Sequence, residues 1–556
     1  MKINIKYFKT YVLAILTLLL SPALPYSPYV YAKAPEAYAS SSRLASGKWV
    51  KIKVTETGIQ TLTTSRLRQL GFSDPSKVKV YGYGGRMIAD ALDDNQKDDL
   101  PQLPVVRTPG AILFYGVDNI GLQTSPDRNG NLRHIQNSYA SDSFYFLSDM
   151  DTEDVELARR DASPSASAST ITSFRQMILH EKELTAPAAM GRMMVGEDFR
   201  TSTTQSFPFT LVDKADEYVY PNINFVAHTT GSSSSVAVYN GDTSLGSAIN
   251  ISPVTGEMFI NVGQSSYPFK TADDKINLRL VFKAGGMLQK ANLDWIEVFY
   301  NRSLKLRNSQ LYFYNCPTDA TNMAIEGCNE STRIWDVTDP AAPVEIQYTL
   351  NGSVATFLSE SGFHEYVAFN EDAASLQPVG AGAVANQDIH ALPVPDMLII
   401  SPSDYTAAAE RVANLHRDND GMIVHVISPE KLYNEFSSGV RDINAYRKAM
   451  KMWYDRGEQD GHKLRYCLLM GRPAADCKSL NVSADGVSYP VMLTWQTPVI
   501  VNQLSETTSY STDDYYGMLD DSTPTSFDIK SEKIRVAVGR FPVKTPAEAN
   551  AAADKL

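Results

Sequence analysis

Four cysteines and eight histidines are the residues with which this 556-residue chain could attack a carbonyl or hold a metal. Cysteine catalysis needs an exposed thiol of lowered pKa with an imidazole within hydrogen-bond reach. Cys477 sits in a loop after the apolar run of "LRYCLLMGRPAADC", which makes it the one internal candidate nucleophile. Its candidate partners are His425, mid-strand in "MIVHVIS", and His462, on the opposite loop edge of the same sheet. Cys467 lies inside the apolar run and reads as a buried thiol. Structural cysteines and ordinary histidines fit these positions better than a dyad does. The other histidines, His134, His180, His228, His364, His390 and His416, show no metal-ligand spacing to one another. Pairing as Cys316–Cys328 and Cys467–Cys477 is one of three disulfide connectivities.

Two carboxylate-dense stretches stand out. "DALDDNQKDD", residues 90–99, and "STDDYYGMLDDS", residues 511–522, carry the oxygen ligands that calcium prefers. The first lacks the spacing and the turn glycine of an EF-hand. The first reads as a solvated acidic loop with calcium as the alternative. The second is either a polar surface loop or one that faces a substrate or calcium. No P-loop, GxGxxG, HExxH or GxSxG is present, and "YGYGGRM" lacks the third glycine of a dinucleotide loop.

The elements that must position these residues fall into two regimes. From about residue 40 to 390 the runs are short, alternating and aromatic-rich, as in "WVKIKV", "AILFYG", "INLRLVF" and "DWIEVFY". Turn signals separate them, which predicts sandwich or jelly-roll domains. One helix, "TTSRLRQLGF", interrupts them, with Leu67 and Leu70 on one face and a stop at Gly71. After "SLQPVGAGAVANQDIHALPVP" the rhythm becomes strand, helix, strand, helix. "DMLIIS" and "MIVHVIS" are strands, and "DYTAAAERVANLHRDNDG" is a helix closed by Gly421. "PEKLYNEF" is a short helix, and a longer one places Ile443, Tyr446, Met450 and Trp453 on one face with Gly457 as C-cap. Apolar strands alternating with amphipathic helices predict a parallel sheet covered on both faces. Such sheets bind ligands at the carboxyl ends of their strands. In the last residues, "VGRFPVKTPAEANAAADKL", Thr545 is the expected N-cap of a helix opened by Pro546.

The fold class is therefore multidomain: an N-terminal all-β sandwich or jelly-roll region followed by an α/β segment with a parallel sheet. The expected organisation is a signal peptide at 1–32, a β-rich domain at 33–160, and a low-complexity linker at 161–174. A sandwich at 175–375, a linker at 376–395 and the α/β segment at 396–556 follow. The leader rests on Lys2, Lys6 and Lys9 before an apolar run, with Val30-Tyr31-Ala32 as a small-residue cleavage site. No cysteine precedes Cys316, which excludes a lipoprotein anchor there. Net charge of −12, with the two signs intermixed, argues against nucleic acid as the main partner.

Residues 396–556 resemble the gingipain family of cysteine peptidases. The resemblance rests on the run from "DMLIISPSDYTAAAERVANLHRDNDG" to "MKMWYDRG", then "LRYCLLMGRP", "STDDYYGMLDD" and "IRVAVGRFPVKTPAEANAAADKL", in that order. The β-rich part, with "GIQTLTTSRLRQLGF", "KVKVYGYGG", "AILFYG" and "NLDWIEVFYNRSL", resembles the sortase branch of that family, which serves the type IX secretion system of Bacteroidota. The loop "MGRPAADC" departs from the pattern, because relatives usually place an acidic residue directly after the glycine.

The resemblance implies a caspase-like α/β fold and thiolate attack on a peptide carbonyl, with a histidine in a Gly-His-Gly type loop relaying the proton. Both catalytic loops are expected beyond the Gly-Arg-Phe strand and its following helix, so the catalytic dyad is expected to lie outside this chain. No residue here is assigned a catalytic, cofactor-binding or metal-binding role, and the chain by itself is expected to be inactive. The implied task is removal of the C-terminal sorting domain of secreted cargo and attachment of that cargo to the cell surface. The implied partners are cargo proteins, an outer-membrane protein that holds the enzyme, and lipopolysaccharide as acceptor, at the outer membrane surface or in the periplasm. Two alternatives remain open: a secreted gingipain-like protease with a long pro-region, and a non-catalytic surface binding or adhesion protein.

Overall fold

The computed structural model describes residues 37–92, 96–150, 152–187, 191–307, 310–371, 376–473, 476–478, 490–498, 504–505, 508–520 and 527–556. The leader read at 1–32 lies outside them. So do parts of both acidic stretches.

Period-two patterning builds the N-terminal two thirds. In Lys275–Lys283 the residues Ile276, Leu278, Leu280 and Phe282 are buried, while most of the intervening residues reach toward water. That strand pairs with Thr204–Thr210 and Ser234–Asn240. The facing sheet is built on the long strands Lys214–Thr230 and Met287–Ser303, and one core fills the space between. Residues 304–370 form a second sandwich with its own core around Phe313, Phe357 and Tyr366. The stretch expected as one domain at 175–375 is therefore two sandwiches, because two separate sets of inward residues need two cores.

Part of each expected linker pairs into a sheet. Ala158–Asp161 pairs in parallel with Val344–Gln347, and Thr170–Ile171 pairs with Asn322 and Met323. The Asn322 side chain satisfies the backbone between them, accepting from Ser165 N and donating to Ser165 O. Val379–Val384, inside the expected linker at 376–395, is an edge strand on Trp49–Val54. Small residues there leave no period to read, and the pairing shifts register between Lys51 and Ile52. The expected helix in "TTSRLRQLGF" forms as Thr64–Gln69, capped by the Thr63 hydroxyl, with Leu67 buried.

The α/β segment is a parallel sheet of β1 (Met397–Ile400), β2 (Val424–Ile427), β3 (Tyr466–Met470) and β4 (Ala537–Phe541), in the order β2-β1-β3-β4. Its helices are α1 (Thr406–Asp420), α2 (Pro429–Phe436), α3 (Ile443–Asp460) and α4 (Pro546–Ala553). β1 is buried on both faces, as a continuous apolar run requires. Met397 and Ile399 join Ala408, Ala409 and Val412 of α1 and Ala549 of α4, whereas Leu398 and Ile400 join Tyr446 and Trp453 of α3. Among the described residues no helix is long and apolar enough to cross a membrane.

Gly457 is not the C-cap of α3. The helix runs one turn further, to a left-handed Gly461 at φ 72°. Gly457 instead lets the His462 carbonyl approach, since a Cβ there would sit 2.3 Å from that oxygen.

Candidate active-site edge of the parallel sheet

At the carboxyl ends of β3 and β4 two loops are joined by backbone. Gly471 N donates to Phe541 O at 2.9 Å, and Arg472 N donates to Val543 O at 3.0 Å. Gly471 has φ 141°, and a Cβ would meet Met492 at 2.5 Å, so this turn admits little else. Arg540 of β4 organises the edge. Its Nε and Nη2 grip the Asp513 carboxylate at 2.7 and 2.6 Å, while Nη1 reaches Gly471 O and Nη2 reaches Leu493 O. Asp520 is likewise gripped by Arg535 at 2.7 Å on both oxygens. The acidic loop at 511–522 thus turns two carboxylates toward arginines of its own chain rather than toward solvent.

The expected thiols are both buried. Burial pushes the Cys467 thiol well above the usual range, and pushes Cys477 up to about 12 against the opposing pull of Arg192 and Arg441. A nucleophilic cysteine requires the opposite shift. His425 Nε2 lies 2.8 Å from Pro393 O, and burial lowers its pKa. His462 Nε2 lies 3.5 Å from Asp396. The Cys477 dyad with either histidine is not assembled. The Cys316–Cys328 and Cys467–Cys477 bridges are not formed either: Cys316 Sγ contacts Thr124 O at 3.7 Å, and Cys328 packs into the core of the second sandwich.

The polar centre of this region lies where the sequence reading placed none. α3 carries Asn444, Arg447, Lys448, Lys451 and Asp455 opposite its apolar stripe, a pattern that normally faces water. Here the β-rich region covers it, and all five are buried. Arg447 donates from Nε to Met518 O at 2.8 Å and from Nη1 to Asp90 O, with the Tyr515 ring 4.4 Å from its guanidinium carbon. Lys448 donates to Phe436 O at 2.7 Å. Lys451 grips Asp455 at 2.6 and 2.8 Å, and Tyr38 O–H donates to the same carboxylate at 2.5 Å.

The acidic loop at 90–99 closes this seam. Asp90 receives Arg192 at 2.6 Å and Trp495 Nε1 at 3.0 Å; Asp98 receives Ala39 N at 2.7 Å and faces His390 Nε2 at 3.3 Å. Among the described residues no group of three or more metal-ligating side chains could hold a cation. The described carboxylates of this loop act as counter-charges and backbone caps. The sequence signal for this was indirect: a helix with apolar residues on one face and long cations on the other.

The peptidase family C25 model matches residues 390–556. Among solved structures, the chain is similar to dimeric latent PorU from Porphyromonas gingivalis, with a TM-score of 0.82 and 29% identity over 93% of this chain and 50% of that one. The chain thus spans about half the length of that relative. A family 35 carbohydrate binding module from Clostridium thermocellum overlaps 23% of this chain and 90% of its own at 9% identity, with a TM-score of 0.16 that carries no argument. No curated protein matches the chain. Residues 390–556 thus match peptidase family C25, and nearly the whole chain is similar to PorU.

Proposed function

We propose that the protein is an exported cysteine endopeptidase and sortase that removes the C-terminal sorting domain of type IX secretion cargo and helps attach that cargo to the cell surface. Its expected place is the outer membrane surface or the periplasm of a Bacteroidota cell, reached through the leader at 1–32. Its partners on this reading are cargo proteins, an outer-membrane protein that holds it, and lipopolysaccharide as acceptor. The observation that carries the reading is the extent of the similarity to PorU, which runs through the β-rich region as well as the C25 segment. A secreted gingipain-like protease would carry a removable pro-region instead. Here the β-rich region is not separable by packing, because α3 buries its polar stripe against it.

The 556-residue chain by itself does not cleave peptides on this reading. Cys467 and Cys477 are buried with raised pKa values, and the histidines nearest to candidacy are engaged elsewhere. In the parent organism, disrupting the gene should leave surface cargo with its sorting domain attached, read by intact-protein mass. Cargo of normal mature mass would refute the sortase role. With the purified chain, thiol-dependent cleavage of a cargo peptide that disappears in Cys477→Ala would overturn the inactivity.

A further inference from the structure

The seam between the β-rich region and the C25 segment holds an open-mouthed cavity of about 390 Å³, within the size range of small-ligand sites. It is lined by Lys51, residues 139–142 and Phe144 from the β-rich region, by Glu430 and Tyr433 of α2 with Gly439 and Arg441 of the α2–α3 loop, and by Lys478. Lys51 is the unusual member. Its ammonium lies 4.2 Å from the centroid of the Phe144 ring and donates to Gly439 O at 2.7 Å and Asn434 Oδ1 at 3.3 Å, both neutral acceptors. Among the described residues no carboxylate is ion-paired with it. Asp142 pairs with Lys53, and Lys478 pairs with Glu183 from the neighbouring sandwich. Burial holds the Lys51 pKa down to about 8 against the opposing pull of Glu430 and Asp142.

A buried ammonium facing a cavity beside a guanidinium, with aromatic rings between, is suited to an anion that carries an apolar part. We propose that this cavity binds a small carboxylate-bearing ligand, its carboxylate against Lys51 and Arg441 and its apolar part against Phe144 and Tyr433. Because Glu430 shares the wall, a singly charged carboxylate fits better than a phosphate dianion. The proposal stands on the cavity and does not depend on the peptidase reading.

The test is calorimetric titration of the 556-residue chain with N-acetylphenylalanine, its carboxamide and inorganic phosphate. The acid should bind, and the carboxamide should bind more weakly by about tenfold or more, the loss expected when a charge-assisted hydrogen bond is removed. Lys51→Met should weaken the acid to a similar degree. If Lys51→Met does not fold, Arg441→Gln and the contrast between acid and amide on the unmodified chain decide the matter. Equal binding of acid and amide, no binding of the acid at millimolar concentration, or stronger binding of phosphate would overturn the proposal.

Discussion

His390 Nδ1 and Glu435 Oε2 meet at 2.6 Å with neither side chain exposed to solvent. On the other side of the ring, Asp98 lies 3.3 Å from Nε2. The pair joins the segment before β1 to α2, and the aspartate brings in the acidic loop of the β-rich region. Burial alone would depress the imidazole pKa, but the hydrogen bonds to Asp98 and Glu435 outweigh it and raise the value to about 9.

That shift has a pH signature. An imidazole near 9 in the folded chain and near 6.5 when unfolded binds its proton more tightly when folded. Its stabilisation is complete below the unfolded value and is lost as pH rises through about 9. Asp99, which faces His390 and is raised by burial to about 6, changes its contribution below that window. Lys51, lowered to about 8, and His134, raised to about 9, remain in any His390 variant and cancel in the comparison. His390→Gln should therefore lower the melting temperature more at pH 6.5 than at pH 9.5. An equal drop at both values would show that the imidazole is not charged in the folded chain.

Ser438 holds a left-handed conformation at φ 53° without being glycine. Its hydroxyl donates to Phe144 O and accepts from Tyr83 N, both at 3.0 Å, so the β-rich region holds the α2–α3 loop in this shape. Ser438→Ala keeps the unfavourable φ and leaves Tyr83 N and Phe144 O without that partner, at a cost of about 1–3 kcal/mol. Ser438→Gly loses the same bonds but relieves the backbone by roughly 1 kcal/mol. Urea unfolding should rank the two variants with glycine the more stable. The reverse order would mean that residue 438 leaves the left-handed region once the hydroxyl contacts are gone.

Gly457 separates helix propensity from packing. Inside a helix, glycine to alanine should stabilise by about 1 kcal/mol. Here a Cβ would lie 2.3 Å from the His462 carbonyl, a backbone atom that cannot swing away as a side chain can. Gly457→Ala should therefore lower the melting temperature despite the better propensity. A rise would show that the 461–463 turn is free to move.

The contrast between Gly457 and Gly421 shows what was legible in the sequence. Gly421 ends α1 at φ 65° as its position after an amphipathic run predicts, and Thr545 caps α4 through Glu548 N at 3.2 Å. These are local signals, set by a few neighbouring residues. The parallel strands were legible for the same reason, since "DMLIIS" is apolar on both faces. The role of Gly457 depends on a carbonyl from the turn beyond the helix, and the polar stripe of α3 depends on a layer hundreds of residues earlier in the chain. The edge strand Val379–Val384 was invisible because glycine and alanine carry no pattern. The acidic loop at 90–99 showed its charge, but not that Arg192, Trp495 and His390 would be its partners.

Thiol chemistry tests the reading of the C25 segment directly. Alkylation proceeds through the thiolate, so its rate follows both exposure and pKa. Cys316 is the one partly exposed thiol, whereas burial raises the pKa of Cys328, of Cys467 and of Cys477, the last to about 12. Iodoacetamide at neutral pH should modify Cys316 first in the folded chain, and the other three only after unfolding. Peptide mapping by mass spectrometry gives the order. Fast labelling of Cys477 ahead of Cys316 would mean an accessible, activated thiol at the end of β3. The internal nucleophile would then have to be restored, with a histidine brought to it by a rearrangement of the edge that Arg540 and Asp513 now hold closed.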